Sequence, residues 1–219
     1  MVVKSPLPAS LRALGIERTL RPGETLFGIG SRAIGVYEVL RGQVRLVRSG
    51  RAGNRVTLAI VSAGQVLAEA SISSNTYNCE AIAKTAATVR LYPMAPLLTE
   101  LDRDPKLARH FIDVLAQEVM SLRTRLHLRS IHNARDRVRA YLMLNAGEDG
   151  RTVLLPSTVK DLAVYLGLTH EALYRTLADM QADGEIKRST GKIMLSRGAI
   201  TSRSRRGSAA NGPRCVHPG

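Results

Sequence analysis

Apolar and polar positions alternate along the first half of the chain. From about Leu20 to Pro93 the apolar residues come in short runs, such as VYEVL at 36–40 and VTLAIV at 56–61, with glycines between the runs. Alternation with a period of two is typical of half-buried strands, and glycines are typical of the turns that join them. We therefore predict an antiparallel β-roll or barrel, as a domain of residues 1–104.

The pattern changes to a helical period after this domain. Asp104 is a helix cap, and Pro105 suits the first position of a helix that we predict to run to Ser130. Its apolar residues form a heptad seam with spacings of 4, 3, 4, 3 and 4, namely Ala108, Ile112, Leu115, Val119, Leu122 and Leu126. A second apolar set lies off the seam: Leu107, Phe111, Val114 and Leu128. The second set is expected to pack on the β-roll, and the seam packs either within the chain or on a second copy of it.

Two short helices are predicted after residue 157. Thr158 can cap the first, with Asp161 near its N-terminus, and Gly167 ends it. Thr169 can then cap the second helix, whose first turn carries Glu171, where the helix dipole favours an anion. Two short, closely joined helices of this kind predict a helix-turn-helix.

The second of these helices has an apolar and a polar face. Ala172, Leu173, Leu177 and Met180 recur at helical spacing and are expected to face the core. The outward residues are then His170, Glu171, Tyr174 and Arg175. In a major groove an arginine donates to guanine O6 and N7, and a glutamate accepts from cytosine N4. The alternative is a solvated Glu–Arg pair four residues apart, which is common on helices.

A basic hairpin follows and favours the DNA-reading interpretation. Turn-forming residues at 183–185 and 189–191 delimit two short runs that alternate like strands. We expect the basic residues of these runs to lie near phosphates, where they add affinity without sequence information. The predicted DNA-binding residues are Thr169, His170, Glu171, Tyr174, Arg175, Lys187, Arg188 and Lys192.

A DNA-reading function in turn favours a dimer. A helix-turn-helix usually reads two half-sites about 34 Å apart, which requires a twofold partner. We therefore predict that the seam pairs two chains through Ile112, Leu115, Val119, Leu122 and Leu126. Asn133 is expected to cap a further helix. Residues 105–132 are then a dimerisation helix with a hinge, and residues 133–196 are the DNA-binding domain.

The composition agrees with a polyanionic partner. The chain has 32 Lys+Arg against 18 Asp+Glu, for a formal net charge of +14. Residues 197–219 contain five arginines and no acid among Gly, Ser, Ala and Pro, and we predict that they form a disordered basic tail. The chain has neither an apolar stretch long enough to span a membrane nor a signal-peptide core. We expect a cytoplasmic protein with no membrane partner.

The sequence contains no pattern of a catalytic or cofactor site. Cys79 and Cys215 are too few for a disulfide framework or a four-thiolate cluster, and none of the five histidines stands at metal-ligand spacing from Cys79. There is no glycine-rich phosphate loop after a strand and no Ser/His/Asp grouping. We predict that the protein is not an enzyme and holds no cofactor or metal. Cys79 is expected to be a packed structural thiol.

The order of these elements resembles the superfamily of the cyclic AMP receptor protein and the fumarate–nitrate regulator (CRP/FNR), over about residues 15–196. The most specific match is LGLTHEALYRTL at 166–177, and weaker matches are PGETLF at 22–27, YEVLRGQVRL at 37–46 and GQVLAEAS at 64–71. The resemblance implies an α+β fold with a cyclic-nucleotide-binding-like β-roll, a long dimerisation helix and a C-terminal winged helix-turn-helix. It also implies a homodimeric transcription regulator that binds a palindromic operator through Glu171 and Arg175 and contacts RNA polymerase.

The chain departs from the superfamily at the nucleotide site. Cyclic-nucleotide-binding members have a Glu for the ribose and an Arg–Ser pair for the phosphate; Glu69 matches the first, but the later strand lacks an arginine. The long helix carries Leu122 and Arg123 where cyclic-AMP binders have small hydroxyl residues. We predict a regulator that does not depend on cyclic AMP, with an unknown effector. Residues that could contact an effector are Glu69, Tyr77, Asn78, Cys79, Leu122 and Arg123.

Two questions about the first domain stay open at this point. Tyr77 either shapes a pocket for another ligand or fills the space that a nucleotide occupies in relatives. The alternative function is a cyclic-nucleotide-type or redox sensor module whose output is mainly a protein contact. The complete helix-turn-helix and its basic hairpin argue against that alternative.

Overall fold

The computed structural model describes residues 9–50, 55–155 and 158–196. It consists of two compact units, of which the first ends at Ser130 and the second begins at Ile131. The long helix belongs to the first unit together with the roll that was predicted for residues 1–104. The predicted basic tail, residues 197–219, lies outside the described residues.

Antiparallel strands build the roll of the first unit. The two sheets have the strand orders β1-β8-β3-β6 and β2-β7-β4-β5. The strands are β1 (Ile16–Leu20), β2 (Thr25–Phe27), β3 (Gly35–Arg41), β4 (Gln43–Ser49), β5 (Arg55–Ser62), β6 (Gln65–Leu67), β7 (Glu80–Ala83) and β8 (Ala87–Pro93). A 3-10 helix, Glu69–Ser73, lies between β6 and β7. The apolar runs at 36–40 and 56–61 fall within β3 and β5, so the predicted antiparallel roll is confirmed.

Glycines in the roll serve two different purposes. Gly42 lies in the turn between β3 and β4 with φ 76°, a left-handed conformation that glycine adopts without steric cost. Gly35 is the first residue of β3 instead of a turn residue, and a Cβ at this position would lie 2.1 Å from the carbonyl oxygen of Tyr92. Gly35 therefore permits a close approach of β3 to β8.

Helices cover part of the roll. They are α1 (Ala9–Arg12), α2 (Met94–Arg103) and α3 (Pro105–Ser130). The carboxylate of Asp104 accepts hydrogen bonds from the backbone N–H of Lys106 at 2.9 Å and of Leu107 at 3.3 Å, which confirms the predicted cap. The second apolar set of the long helix is buried as predicted: Leu107, Phe111, Val114 and Leu128. Leu107 and Phe111 belong to a core cluster that also contains Leu11, Val36, Tyr92 and Leu97.

The second unit combines helices with a small sheet. The helices are α4 (Ala134–Leu144), α5 (Val159–Leu166) and α6 (His170–Ala182). The strands are β9 (Thr152–Leu154), β10 (Ile186–Ser189) and β11 (Lys192–Leu195), in the antiparallel order β10-β11-β9. Asn133 caps α4 as predicted, since its side chain accepts from the backbone N–H groups of Arg135 and Asp136. The predicted hairpin is β10-β11, and β9 adds a third strand that the sequence interpretation did not include.

No helix in the described part of the chain is both long enough and apolar enough to cross a membrane.

Candidate nucleic-acid interface

Capped helix ends hold α5 and α6 in a helix-turn-helix. The hydroxyl of Thr158 accepts from the backbone N–H of Asp161 at 3.3 Å, and that of Thr169 accepts from Ala172 at 3.1 Å. Gly167 ends α5 with φ 65°, a left-handed C-cap that suits glycine. The next backbone N–H, of Leu168, donates to the carbonyl of Ala163 at 2.9 Å. The predicted caps are therefore confirmed.

The inner face of α6 is buried in the second unit. Leu173, Leu177 and Met180 are fully buried, as the helical spacing predicts, whereas Ala172 is only half-buried. On the opposite face Glu171, Tyr174 and Arg175 are exposed. His170 was predicted to point outward with them, but it is half-buried because its ring lies 4.4 Å from the ring of Tyr174.

Glu171 is an anion at the start of α6. The backbone N–H of its own residue and then the hydroxyl of Thr169 lower the pKa of its carboxyl. An ionised carboxylate is a hydrogen-bond acceptor only, which is the state that can accept from cytosine N4. Glu171 and Arg175 are thus an exposed acceptor and an exposed donor, one helical turn apart.

The predicted basic residues of the hairpin lie on two different faces. Antiparallel pairing places Arg188 opposite Ile193 and Ser189 opposite Lys192, and directly paired residues share a face of the sheet. Ile193 is buried, so Arg188 lies on the inner face of the β10-β11 hairpin, which is the wing of this domain, next to the helices. Lys187 and Lys192 both lie on the exposed outer face. The three cations are therefore divided between the two faces of the hairpin, and their predicted contact with phosphates stays a prediction.

Arg188 contacts α6, the second helix of the helix-turn-helix and therefore the predicted recognition helix. Its guanidinium carbon lies 5.5 Å from the centroid of the Tyr174 ring, a distance at which a cation is attracted to the ring face. Among the described residues no carboxylate forms an ion pair with Arg188. His170, Tyr174 and Arg188 therefore form a continuous row from the first turn of α6 to the wing.

An acidic residue before the wing joins it to α4. The carboxylate of Glu185 accepts from Arg139 with both oxygens at 2.9 Å, and from Arg135 at 2.8 Å. Arg135 also donates to Asp183 at the end of α6. Burial alone would raise the pKa of Glu185, but the hydrogen bonds from Arg139 and Arg135 outweigh it and lower that pKa. The ion pairs fix the base of the wing against α4.

A third arginine of α4, Arg137, contacts the C-terminal end of α5. Arg137 donates to the carbonyl of Ile131 from Nε at 2.9 Å and from Nη2 at 2.7 Å. Its Nη1 donates to the carbonyl of Leu166 at 3.0 Å and more weakly to that of Gly167 at 3.4 Å. These carbonyls lie at the C-terminal end of α5, where a helix leaves carbonyls without helical partners. Neither Arg137 nor Glu185 was singled out from the sequence, because no local motif marks them.

Tyr77 fills the interior of the roll. Its ring stacks on Phe27 with centroids 3.9 Å apart, and it is buried. Its hydroxyl donates to the carbonyl of Gly35 at 3.0 Å and accepts from the backbone N–H of Ile34 at 3.1 Å. The polar atom of Tyr77 is thus satisfied within the protein. Tyr77 is therefore part of the roll core.

The other effector candidates have contrasting surroundings. Glu69 begins the 3-10 helix, and burial raises the pKa of its carboxyl, with a further increase from the negative charge of Glu118. Cys79 is a buried free thiol of the roll core, as predicted, and burial raises its pKa. Asn78 is exposed, and so are Leu122 and Arg123.

The polar side chains of α3 that lie near Glu69 are ones that the sequence interpretation missed. Arg125 donates to Glu118 at 2.8 Å, and the guanidinium of Arg125 is mostly buried. Arg125 lowers and Glu118 raises the pKa of Glu69, so both lie within electrostatic reach of its carboxyl. Glu118 and Arg125 stand seven residues apart, a spacing that repeats on one face of a helix, but only the position of the roll shows which face that is.

The heptad seam is mostly exposed in the single chain. Ile112, Val119, Leu122 and Leu126 are exposed, with Leu126 at 69% and Leu122 at 46%. Leu115 differs from them because it packs partly against the core cluster of Phe111 and Tyr92. A row of exposed large apolar side chains on a 26-residue helix is a surface that a partner can cover.

The part of the chain that the structure describes has no group of three His, Cys, Asp or Glu side chains placed to hold a metal ion.

The two units together define a class of protein: a regulator with a nucleotide-binding type of β-roll and a winged helix-turn-helix. Residues 17–104 match the family described as "Cyclic nucleotide-binding domain", and residues 136–199 match the "Crp-like helix-turn-helix domain". The chain belongs to the CRP/FNR superfamily of DNA-binding transcription regulators. The resemblance noted in the sequence is confirmed, as is the α+β fold with a roll, a long helix and a winged helix-turn-helix.

Individual relatives extend over most of the chain. The nitrogen fixation regulation protein FixK of Bradyrhizobium diazoefficiens is 29% identical over 190 residues, which cover 83% of this chain and 78% of that protein. The cyclic AMP receptor protein of Thermus thermophilus is 26% identical over 198 residues, covering 90% and 91%. Among solved structures, FixK2 from Bradyrhizobium japonicum is 26% identical with a TM-score of 0.65, and the match covers 84% of this chain and 93% of that chain.

Proposed function

We propose that this regulator acts as a homodimer that reads an imperfect palindrome, with Glu171 and Arg175 contacting base edges in successive major grooves. The observation that carries the proposal is the exposure of these two side chains on the first turns of a capped helix, beside a basic wing. Arg175 would donate to guanine O6 and N7, and Glu171 would accept from cytosine N4. Thr169 sets the first turn of α6 as its cap, and His170 lies between that turn and Tyr174.

The wing supplies affinity in this proposal. Lys187 and Lys192 lie exposed on its outer face and Arg188 on its inner face, so phosphates on two sides of the wing would be within reach. Contacts to phosphates neutralise charge and release counterions, so they strengthen binding to every sequence alike. The formal net charge of +14 supports this role.

The exposed seam of α3 is the proposed dimer interface, through Ile112, Leu115, Val119, Leu122 and Leu126. A second copy of the same helix would cover the exposed leucines in a knobs-into-holes arrangement. Dimerisation would present two recognition helices to two half-sites, which the spacing of a palindrome requires.

We further propose that DNA binding does not depend on cyclic AMP. Tyr77 lies in the roll interior, and its hydroxyl hydrogen-bonds to the backbone of Gly35 and Ile34. The strand segment from Tyr77 to Ala81 contains no arginine. Near Glu69, α3 provides the guanidinium of Arg125, which pairs with Glu118. A cyclic phosphate would therefore have to compete with the Glu118 carboxylate for this guanidinium. DNA binding as proposed here requires neither an effector nor a contact with RNA polymerase.

The test is selection of DNA from a random library by the purified full chain, with and without cyclic AMP, under reducing and oxidising conditions. We expect enrichment of a palindrome in every condition. Enrichment only with cyclic AMP would contradict the proposed independence, and enrichment of sequences without twofold symmetry would contradict the dimeric mode of reading.

The same assay identifies the reading residues. Arg175→Ala should reduce the free energy of binding to the selected palindrome by about 1–3 kcal/mol per half-site. It should also relax the preference at one base pair. Lys192→Ala is the matched control, since it removes an exposed cation of the wing and should weaken binding to all sequences alike. Equal losses on selected and scrambled duplexes for both variants would show that Arg175 does not read bases.

A further inference from the structure

The aromatic ring of Tyr174 has two cationic or polar neighbours. The ring centroid of His170 lies 4.4 Å from that of Tyr174, and the guanidinium carbon of Arg188 lies 5.5 Å from the Tyr174 centroid. Tyr174 is 43% exposed, so its free surface remains next to the exposed reading residues of α6. The ring of Tyr174 therefore connects the recognition helix to the wing and leaves part of its surface accessible to DNA.

The strand register makes Arg188 different from its neighbour Lys187. Arg188 shares the inner face of the wing with the buried residues Ile186 and Ile193, whereas Lys187 lies on the outer face with Met194. Strand β10 packs against α6, so the inner face is the one that meets the recognition helix. Of the two cations on β10, only Arg188 has its charge beside that helix.

The side chain of Arg188 requires a neighbouring group that restricts its rotamers if it is to stay in this position. A guanidinium on a flexible stem has many rotamers, and ordering it on a partner surface costs conformational entropy. No carboxylate pairs with Arg188 in the described part of the chain, so the ring of Tyr174 is the group that orders the guanidinium without neutralising its charge. A carboxylate in the same place would hold the side chain equally well but would cancel its attraction to phosphate.

We propose that Tyr174 is a positioning residue that holds Arg188 against the recognition helix. Arg188 of the wing then contacts a DNA phosphate beside the groove that the recognition helix enters. The proposal rests on the proposed DNA-binding function and assigns separate roles in it to Arg188 and Tyr174. Arg188 contacts the phosphate, Tyr174 acts through Arg188, and neither distinguishes one base pair from another. Lys187, on the other face, contacts a different phosphate and acts independently of Tyr174.

The experiment is a double-mutant cycle on the full chain, with affinity measured for the selected palindrome and for a scrambled duplex across a series of salt concentrations. The variants are Arg188→Ala, Tyr174→Ala, Tyr174→Phe and the Tyr174→Ala/Arg188→Ala double variant. Lys187→Ala, alone and combined with Tyr174→Ala, is the comparison, since it removes a cation one residue away on the opposite face that acts independently of Tyr174. Thermal unfolding without DNA checks that each variant is folded.

We expect Arg188→Ala to weaken binding on the order of tenfold to both duplexes, as expected for a lost hydrogen bond to a charged group. The salt dependence should become less steep by about 0.9 per chain, the value for one phosphate contact. Tyr174→Ala should reproduce most of both changes, and Tyr174→Phe should retain nearly normal binding because it keeps the ring face. The double variant should bind no worse than Arg188→Ala, because the two residues act through one contact.

Several results would overturn the assignment. Additive losses in the double variant would mean that Tyr174 and Arg188 contact DNA independently. A changed base preference in Tyr174→Ala, or a loss in Tyr174→Phe, would make Tyr174 a direct reader. Losses that are non-additive in a Tyr174→Ala/Lys187→Ala variant, as in Tyr174→Ala/Arg188→Ala, would remove the distinction between the faces. Failure of the proposed function is separate, since it would appear as an absence of base preference in the native chain and in Arg175→Ala.

Discussion

Arg137 donates two hydrogen bonds to the carbonyl oxygen of Ile131, from Nε at 2.9 Å and from Nη2 at 2.7 Å. Ile131 is the first residue of the second unit, directly after the long helix ends at Ser130. The same guanidinium donates to Leu166 at the end of α5. One side chain thus ties the entry of the chain into the DNA-binding unit to the turn of the helix-turn-helix.

Replacement of Arg137 should therefore destabilise the second unit more than replacement of an exposed arginine. Hydrogen bonds to charged groups contribute about 1.5–3 kcal/mol, and Arg137→Lys cannot reproduce the planar fork that reaches three carbonyls. We expect Arg137→Lys to lower the free energy of unfolding by about 2 kcal/mol. Denaturant unfolding of the full chain, followed by a spectroscopic signal of the second unit such as that of Tyr141, measures this change in the free energy of unfolding.

The matched control for this measurement is Arg175→Ala, which removes an exposed arginine of the same unit. Surface substitutions usually change stability by less than about 0.5 kcal/mol. An Arg137→Lys variant as stable as that control would show that the hydrogen bonds to Ile131 and Leu166 add no net stability.

Local signals explain which parts of the fold were predictable. The helix from Pro105 to Ser130 and the caps at Thr158, Thr169 and Asn133 follow from residues adjacent to each helix end, so the sequence was sufficient to predict them. Strand β9 was missed, although a turn at Asp149–Gly150 followed by an apolar run is a strand signal. A three-residue strand has too little periodicity to stand out without its partner β11.

The site was less predictable because its groups come together through register and packing. Alternation along β10 separates Arg188 from Lys187, but which of the two lies on the inner face depends on the pairing of β10 with β11 and on its packing, which no motif states. Likewise, Glu118 and Arg125 become neighbours of Glu69 only once α3 lies on the roll. Sequence reasoning predicted correctly that Glu171 and Arg175 face outward, because their orientation follows from one helix alone.

Charges introduced into the seam should prevent dimerisation. Leu122 and Leu126 are exposed in the single chain, so Leu122→Lys with Leu126→Lys should leave the fold intact. Each leucine buried at an interface contributes about 1.5–3 kcal/mol, which the substitution removes, and like charges of the two chains would then face each other. We expect sedimentation to give the mass of one chain, and affinity for the selected palindrome to fall towards that of a half-site.

The control is Leu98→Lys, the same substitution at a leucine of α2 that is 37% exposed. This variant should keep the mass and the DNA affinity of the native protein. Leu115 is unsuitable for the test, because it packs partly against the core of the first unit and its replacement would affect folding as well. An unchanged mass for the double variant would remove the long helix from the dimer interface.

The thiol of Cys79 should react slowly in the folded protein. Burial, with a further contribution from the carboxylate of Glu69, raises the pKa of this thiol above its ordinary value of 9.0, and only the thiolate is nucleophilic. In a Cys215→Ser background, which leaves Cys79 as the single thiol, alkylation by iodoacetamide at pH 7.5 should be more than about tenfold slower than in denaturant. Rapid labelling of the folded chain would revive the redox-sensor interpretation.

Acid should loosen the second unit through Glu185. The hydrogen bonds of Arg139 and Arg135 overcome the effect of burial and hold the pKa of Glu185 below its ordinary value of 4.5. A lowered pKa contributes stability that is present above pH 4.5 and is lost as the pH falls through the folded value. Glu185→Gln should therefore lower the free energy of unfolding by about 1–3 kcal/mol at pH 7, with a difference that shrinks below pH 4. Asp136→Asn, which leaves both arginines paired with Glu185, is the control. A difference from the native chain that is independent of pH would mean that these ion pairs do not stabilise the wing.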